Sequence, residues 1–130
     1  MKYYRRKITA IVSCDLNDLK VINDNEGHLF GDMALEVVSN HIISSCPKEA
    51  LVYRIGGDEF SIICVGLAED KIKSIIEDIR DKVKKSSYSM AIGYAMLEPN
   101  EEINQLVTRA DAKMYEDKAR IKNFVDTSST

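Results

Sequence analysis

The feature of this sequence that most limits its fold is the pentapeptide Gly56-Gly57-Asp58-Glu59-Phe60, which stands between two apolar runs. Leu51-Val52-Tyr53-Arg54-Ile55 precedes it and Ser61-Ile62-Ile63-Cys64-Val65 follows it. Two β-type runs joined through Gly-Gly predict a hairpin, because tight turns between strands need positive φ angles that glycine adopts without steric cost. Two carboxylates leave the bend side by side, and strand alternation is expected to point Asp58 and Glu59 to opposite faces.

The rest of the chain alternates between strand and helix patterns. An apolar run predicts a central strand covered on both faces, and apolar residues three or four positions apart predict amphipathic helices. The elements predicted outside the hairpin are a strand at Ile8–Cys14, helices from about Asp32 to before Pro47 and over Glu69–Lys85, a strand at Ser89–Ala95, and a helix from Glu101 to about Lys118. The order, roughly βαββαβα, predicts an α/β sandwich with a central, mostly antiparallel sheet flanked by helices.

Length and composition indicate one domain over residues 1–130. The 18 basic and 21 acidic residues leave a net charge of −3, so neither nucleic acid nor a membrane surface is an expected partner. No apolar run approaches the roughly 20 residues that span a bilayer. Three widely spaced cysteines, Cys14, Cys46 and Cys64, predict buried thiols in a cytosolic chain, and residues 126–130 are expected to fray.

Three further segments add to the Gly-Gly-Asp-Glu-Phe turn. Two lie upstream, Asp15-Leu16-Asn17-Asp18-Leu19-Lys20-Val21-Ile22-Asn23-Asp24 and Gly27-His28-Leu29-Phe30-Gly31-Asp32. The third is Arg109-Ala110-Asp111-Ala112-Lys113-Met114-Tyr115, followed by Lys118. In this order and spacing the segments resemble the GGDEF domain, the catalytic domain of diguanylate cyclases. The resemblance covers nearly the whole chain and implies a sandwich like the palm of nucleotidyl cyclases.

The resemblance implies that two GTP molecules are condensed into cyclic di-GMP and pyrophosphate across a dimer of two half-sites. Such phosphoryl transfer needs neutralisation of charge and in-line positioning, and hard divalent cations bound by oxygen ligands supply the neutralisation. By resemblance Asp15, Asp58 and the Leu16 carbonyl hold Mg²⁺ or Mn²⁺, Glu59 serves the metal or the ribose, and the three acids are the catalytic residues. The two aspartates converge if their strands are neighbours. Alternatively, Asp15 only caps a helix after the first strand.

The resemblance also implies which groups bind the triphosphate of GTP. Backbone amides at a helix start can point at an anion, and lysines supply charge. Four residues after its second phosphate-contacting lysine, the family usually has an arginine, and this chain has Lys122 there. Lysine keeps the charge but lacks the guanidinium group that can make two parallel hydrogen bonds to a phosphate. Arg120 is an alternative contact. The predicted nucleotide-binding residues are Asn17, Asp18, Leu19, Lys20, Asn23, Asp32, Gly57, Lys118 and Lys122.

The resemblance implies that two of these residues bind the guanine base. Asn23 and Asp32 offer acceptor oxygens to the N1–H and 2-amino groups of guanine. Adenine lacks both donors and would leave the acceptors unpaired, so GTP is the expected substrate. Alternatively, Asp32 caps the helix that follows it.

Two departures from the family pattern are visible. The inhibitory product site of the family is an Arg-x-x-Asp stretch, and Pro47-Lys48-Glu49-Ala50 stands in its place. No product site and no high-affinity feedback by cyclic di-GMP are therefore expected. Met1 to Lys7 contains nothing like the family's helix and Asp-x-Leu-Thr-Gly-Leu-x-Asn-Arg stretch before the first strand, which predicts a domain truncated at its amino end.

Three functions compete. The first is a cyclase half-site that acts with a second copy of itself, in the bacterial cytoplasm and as the cytosolic part of a larger sensor protein. The second is a non-catalytic GTP-binding regulatory module, which has no need of the metal-binding carboxylates. The third is a pure dimerisation domain, which explains none of the acids.

Overall fold

Four strands form one antiparallel sheet in the order β2-β3-β1-β4. The computed structural model describes residues 7–128, and the side chains of residues 7–122. The elements in chain order are β1 Ile8–Leu16, α1 Leu19–Glu26, α2 His28–Ser45, β2 Ala50–Ile55, β3 Glu59–Val65, α3 Glu69–Lys85, β4 Met90–Met96 and α4 Ile103–Ser128. The predicted α/β sandwich is confirmed, and within the described residues no helix is both long and apolar enough to cross a membrane.

The first helical region differs from the prediction of one helix beginning near Asp32. Two helices occupy it, because Gly27 has a φ of 94° and interrupts the helical backbone between α1 and α2. Helix α1 buries none of its own side chains completely, so a strong apolar period is missing there. Its Leu19 and Ile22 are half-buried against the core.

The final helix is longer than predicted. Helix α4 continues to Ser128, past the end expected near Lys118 and through the first residues of the expected tail. Residues 129–130 and 1–6 lie outside the described part of the chain, so the predictions about the extreme ends fall largely on residues without a description.

The two faces of β1 meet different partners. Ala10, Val12, Cys14 and Leu16 belong to the main core with the apolar side chains of α2 and α3. The intervening residues face α4, where Ile11 packs with Ala95, Leu106 and Ala110. All residues of β1 from Ala10 to Leu16 are buried, as expected for a central strand. Polar groups interrupt only the α4 side, and that side carries the candidate site.

Hydrogen bonds fasten α4 to this face. Ser13 Oγ donates to Asp111 Oδ1 at 2.6 Å. Further along, the Ile92 N–H donates to Asp117 Oδ2 at 2.9 Å, and Arg80 Nη1 donates to the same oxygen at 3.1 Å. Burial works to raise the pKa of Asp117, but hydrogen bonds from Ile92, Arg120 and Arg80 outweigh it and lower the pKa. These contacts set the depth and rotation of the helix that carries Lys118.

The three cysteines are free thiols, with Cys14 and Cys64 buried and Cys46 half-buried. Burial raises the pKa of Cys46 to about 11 and that of Cys64 to about 12. Protonated buried thiols are poor nucleophiles and poor metal ligands, which agrees with the structural role predicted for them.

Candidate active site

The predicted catalytic acids meet where β1 ends and β3 begins. Asp15 lies opposite Glu59 in the register of the two strands, and the Leu16 N–H donates to the Asp58 carbonyl oxygen at 2.9 Å. Asp15 is 3% exposed, and Asp58 and Glu59 are half-buried. Strands β1 and β3 are neighbours, so Asp15 and Asp58 converge, as predicted for adjacent strands.

The predicted hairpin forms the other side of this site. Ile55 and Glu59 are paired, which leaves Gly56, Gly57 and Asp58 as the turn, and Gly56 has a φ of 71°. Asp58 therefore precedes the strand, and strand alternation does not divide Asp58 and Glu59 between opposite faces as expected. The charge of Asp58 raises the pKa of Asp15, and the charges of Asp15 and Asp58 both raise the pKa of Glu59.

Negative charge is concentrated at this point. Burial raises the pKa of Asp15, a hydrogen bond from Lys118 opposes the rise, and the charge of Asp58 adds to it. Burial also raises the pKa of Glu59, together with the charges of Asp15, Asp111 and Asp58. A cluster whose carboxyl groups hold each other's pKa values up is one that a cation would relieve.

The oxygen atoms available here fit a hard divalent cation. Asp15 Oδ1 is buried without a hydrogen-bond partner, while Oδ2 accepts from Lys118 Nζ at 2.6 Å. Among the described residues no three histidine, cysteine or acidic side chains already surround a common point. The predicted set has only two carboxylates, from Asp15 and Asp58, and the Leu16 carbonyl. Mg²⁺ commonly completes its coordination with water and substrate phosphates. These oxygens suit Mg²⁺ or Mn²⁺, and the metal assignment stays a prediction.

The alternative role of Asp15 as a helix cap is wrong. Asp15 lies inside β1, and Asp18 is the residue that precedes the first turn of α1, with a φ of 64°. The same holds for Asp32, which is the fifth residue of α2, whereas Gly27 occupies the cap position. Neither aspartate is thus needed to begin a helix.

The predicted phosphate-binding backbone is only partly available. The Asn17 N–H donates to the Ser89 carbonyl oxygen at 2.8 Å, and Asn17 Nδ2 donates to Ser89 Oγ at 2.9 Å. Asn17 is thereby tied to the start of β4. Asp18 and Leu19 open α1, where the first amides of a helix have no carbonyl four residues before them within the helix. The predicted anion site therefore narrows to these two amides.

The lysines lie on two helices. Lys20 is exposed on α1, Lys118 is half-buried on α4, and Lys122 is exposed one turn beyond it. Arg120, the alternative phosphate contact, donates from Nη2 to Asp117 Oδ1 at 2.9 Å. In this structure Arg120 is paired within α4, and Lys122 remains the predicted contact.

Of the two residues predicted to bind guanine, Asn23 on α1 packs against α2 at Gly31, and Asp32 is the next residue of α2. A β-carbon built on Gly31 would lie 1.7 Å from Asn23 Oδ1, so the Asn23 side chain covers Gly31 directly. Asp32 follows Gly31 and is exposed. The close approach of the helices thus places Asn23 beside the residue that precedes Asp32.

Sequence reasoning missed several side chains near these groups. Asp32 lines a depression of about 390 Å³ with Arg54 and Phe60, and Arg54 Nη2 donates to the Gly57 carbonyl oxygen at 2.7 Å. Asp111 contributes negative charge to Glu59. Asp111 stood within a recognised motif, but nothing in the local sequence showed that it would face the hairpin.

Two other regions lie apart from the acids. The segment predicted to lack a product site is the loop before β2, and its Ala50 is buried as the first residue of that strand. A second concavity of about 860 Å³ follows the free edge of β4 between α3 and α4 and is lined by none of the predicted site residues.

Known proteins are similar to this chain in sequence and in fold. The family model described as "Diguanylate cyclase, GGDEF domain" matches residues 1–124. Diguanylate cyclase DosC of Escherichia coli (strain K12) is 31% identical over 127 residues, covering 90% of this chain and 28% of DosC.

Solved structures agree. The GGDEF domain of DgcB from Caulobacter crescentus, in complex with c-di-GMP, has a TM-score of 0.78 at 27% identity and covers 85% of this chain and 71% of that one. An EAL/GGDEF domain protein from M. capsulatus has a TM-score of 0.79 at 29% identity and covers 88% of this chain and 80% of that one.

This chain spans between 28% and 50% of the length of the first curated relatives that it matches. The match to the family model nevertheless extends over almost all of its residues, and its four-stranded antiparallel sheet has the same fold as GGDEF structures. The chain belongs to the GGDEF family of diguanylate cyclase domains.

Proposed function

We propose that this domain condenses two GTP molecules into cyclic di-GMP and pyrophosphate, with each chain supplying one half-site. The observation that carries the proposal is that Asp15 lies beside Asp58 and opposite Glu59, with a buried carboxylate oxygen, Asp15 Oδ1, that has no hydrogen-bond partner. A domain that only bound GTP would have no need to bury an acid against two others, because such clustering costs stability unless it serves a ligand.

The residues divide the work by their positions. Asp15, Asp58 and the Leu16 carbonyl would hold Mg²⁺ or Mn²⁺, and Glu59 would bind the metal or the ribose. The cation, when bound, would neutralise phosphate charge and make the 3′-hydroxyl easier to deprotonate. The Asp18 and Leu19 amides and the lysines would orient the triphosphate. These lysines are Lys20, Lys118 and Lys122. Asn23 and Asp32 would bind guanine, and Gly57 would be a further nucleotide contact.

A second copy of the chain is required by the chemistry. One half-site orients one GTP, and the attacking hydroxyl belongs to the GTP on the partner. Asp58 and Glu59 are only half-buried, and in the proposed arrangement the facing copy would cover them. We further propose that the parent protein is longer, that a sensor domain controls the meeting of two copies, and that the reaction takes place in the bacterial cytoplasm, where GTP is available.

The proposed activity is tested by incubating the purified domain with GTP and Mg²⁺ and detecting cyclic di-GMP by mass. Product formation per chain should rise with enzyme concentration while dimers are scarce, because mass action sets the dimer population. GTP binding without product at every concentration would support the regulatory module instead. A rate per chain that stays constant over a hundredfold dilution, in a protein that sediments as a monomer, would contradict the two-copy mechanism.

Substitution of Gly31 tests the base-binding assignment. Gly31→Ala should displace the Asn23 carboxamide, since the new β-carbon would overlap its oxygen, and weaken binding of a non-hydrolysable GTP analogue roughly tenfold in calorimetry. The helix itself should tolerate alanine, which has a better helix propensity than glycine.

A double-mutant cycle provides the control. Adding Gly31→Ala to Asn23→Ala should cost nothing more, because the side chain that it displaces is already gone. Additive losses from the two substitutions would show that Gly31 acts on binding by another route.

A further inference from the structure

Lys118 and Asp15 form an ion pair across 103 residues of chain. Lys118 Nζ lies 2.6 Å from Asp15 Oδ2, and the side chains are 44% and 4% exposed, respectively. The hydrogen bond to Asp15 raises the pKa of Lys118, to which the charge of Asp58 also contributes. The ammonium group therefore places a positive charge directly on one of the candidate metal-binding carboxylates.

The two partners differ in their freedom to move. Asp15 is held in β1, which is paired on one side with β3 and on the other with β4. Lys118 is attached through four methylene groups to an outer helix and is nearly half exposed, so its ammonium group can swing into solvent without disturbing the backbone. Any exchange of partners at this ion pair would therefore be made by the lysine.

We propose that Lys118 is a built-in counter-ion that competes with the divalent cation for Asp15 and moves to the triphosphate of GTP when the cation binds. The inference rests on the proposed function, since that function places the cation on Asp15 and a phosphate within reach of Lys118. An ammonium and a divalent cation on one carboxylate repel each other strongly at such short range. A triphosphate gives the displaced ammonium a new anionic partner.

The competition couples the two ligands. The cation alone must displace Lys118 into solvent, whereas the cation with a triphosphate transfers Lys118 from one anion to another. Each ligand therefore raises the affinity for the other, by the same factor in both directions. Lys118 thus keeps Asp15 paired with a positive charge until a nucleotide arrives.

Binding of Mn²⁺ in the absence of nucleotide tests the proposal through a readout independent of activity. Lys118→Met removes the ammonium and keeps an unbranched side chain of similar length. We expect it to tighten Mn²⁺ binding about tenfold, as measured by electron paramagnetic resonance of the free ion.

The matched control is Lys113→Met, which removes the same charge from the same helix. Lys113 is exposed and pairs with Glu116 at 3.6 Å rather than with Asp15. Its substitution should change Mn²⁺ affinity less than about twofold, because solvent screens exposed charges. Equal effects of the two variants, unchanged or weaker binding in Lys118→Met, or failure of every form to bind Mn²⁺ would overturn the proposal.

A measurement on the unaltered protein covers the case in which Lys118→Met does not fold. The ammonium resonance of Lys118 should be visible by nuclear magnetic resonance, since an ion pair protects it from solvent exchange, and Mg²⁺ should shift it or broaden it away. A resonance that persists unchanged at saturating Mg²⁺ would overturn the proposal. If Lys118 competes with the cation for Asp15 but the protein makes no cyclic di-GMP, this inference stands and the proposed cyclase activity is refuted.

Discussion

Asp58→Asn should abolish formation of cyclic di-GMP in a protein that remains folded. Asparagine has nearly the same shape, but a neutral amide is a much weaker ligand for Mg²⁺ than a carboxylate. Asp58 lies in the hairpin turn beside buried Asp15, so the loss of its charge removes one of only two carboxylates assigned to the cation. We expect product formation, measured by mass, to fall at least about 100-fold.

Folding should not account for this loss. The main-chain carbonyl of Asp58 still accepts from the Leu16 N–H, and neutralising Asp58 removes a charge that raises the pKa of Asp15. The thermal unfolding midpoint should therefore stay the same or rise. Asp78→Asn, on the exposed face of α3, is the matched control and should keep full activity. Full activity in Asp58→Asn would remove Asp58 from the mechanism.

Gly93→Ala should destabilise the protein by about 3 kcal/mol, which is a large fraction of the stability of a domain of this size. A β-carbon on Gly93 would lie 2.1 Å from the Met114 backbone nitrogen and 2.4 Å from the Lys113 carbonyl carbon. These atoms belong to the backbone of α4 and cannot rotate away, so the whole helix must shift from the sheet. Unfolding in urea measures the change.

Gly57→Ala is the control for this substitution. A β-carbon at Gly57 would meet no atom within 4 Å, and its backbone has no positive φ, so the free energy of unfolding should change by less than about 0.5 kcal/mol. A similarly small effect at Gly93 would contradict the close contact between β4 and α4. Because α4 carries Lys118, the shift in Gly93→Ala should also loosen the ion pair with Asp15.

Local patterns in the sequence determined most of the secondary structure. The strongest example is α3, whose predicted bounds, Glu69 and Lys85, are the observed ones. Its isoleucines recur at three- and four-residue intervals between charged residues, and such a period needs no information from elsewhere in the chain. The Gly-Gly hairpin was equally local, because Gly56 supplies the positive φ that the turn requires.

Features without a local signal were predicted less well. The short helix α1 has no completely buried side chain, and its packing against α2 is what makes it a helix in this fold. Asn17 was expected to present its amide to phosphate, but this amide donates to the carbonyl of Ser89, which lies 72 residues later in the sequence. No property of a ten-residue segment reveals which distant carbonyl group will accept the hydrogen bond of a given backbone amide.

The sequence by itself determined the family and most of the elements, and it supplied the candidate acids. Only the tertiary structure decided what those acids contact. Placing β1 between β3 and β4 sets Asp15 opposite Glu59, and the depth at which α4 lies against Gly93 brings Lys118 to Asp15. Helix and strand periods arise from neighbours along the chain, whereas these contacts depend on strand order and on packing between residues up to 103 positions apart.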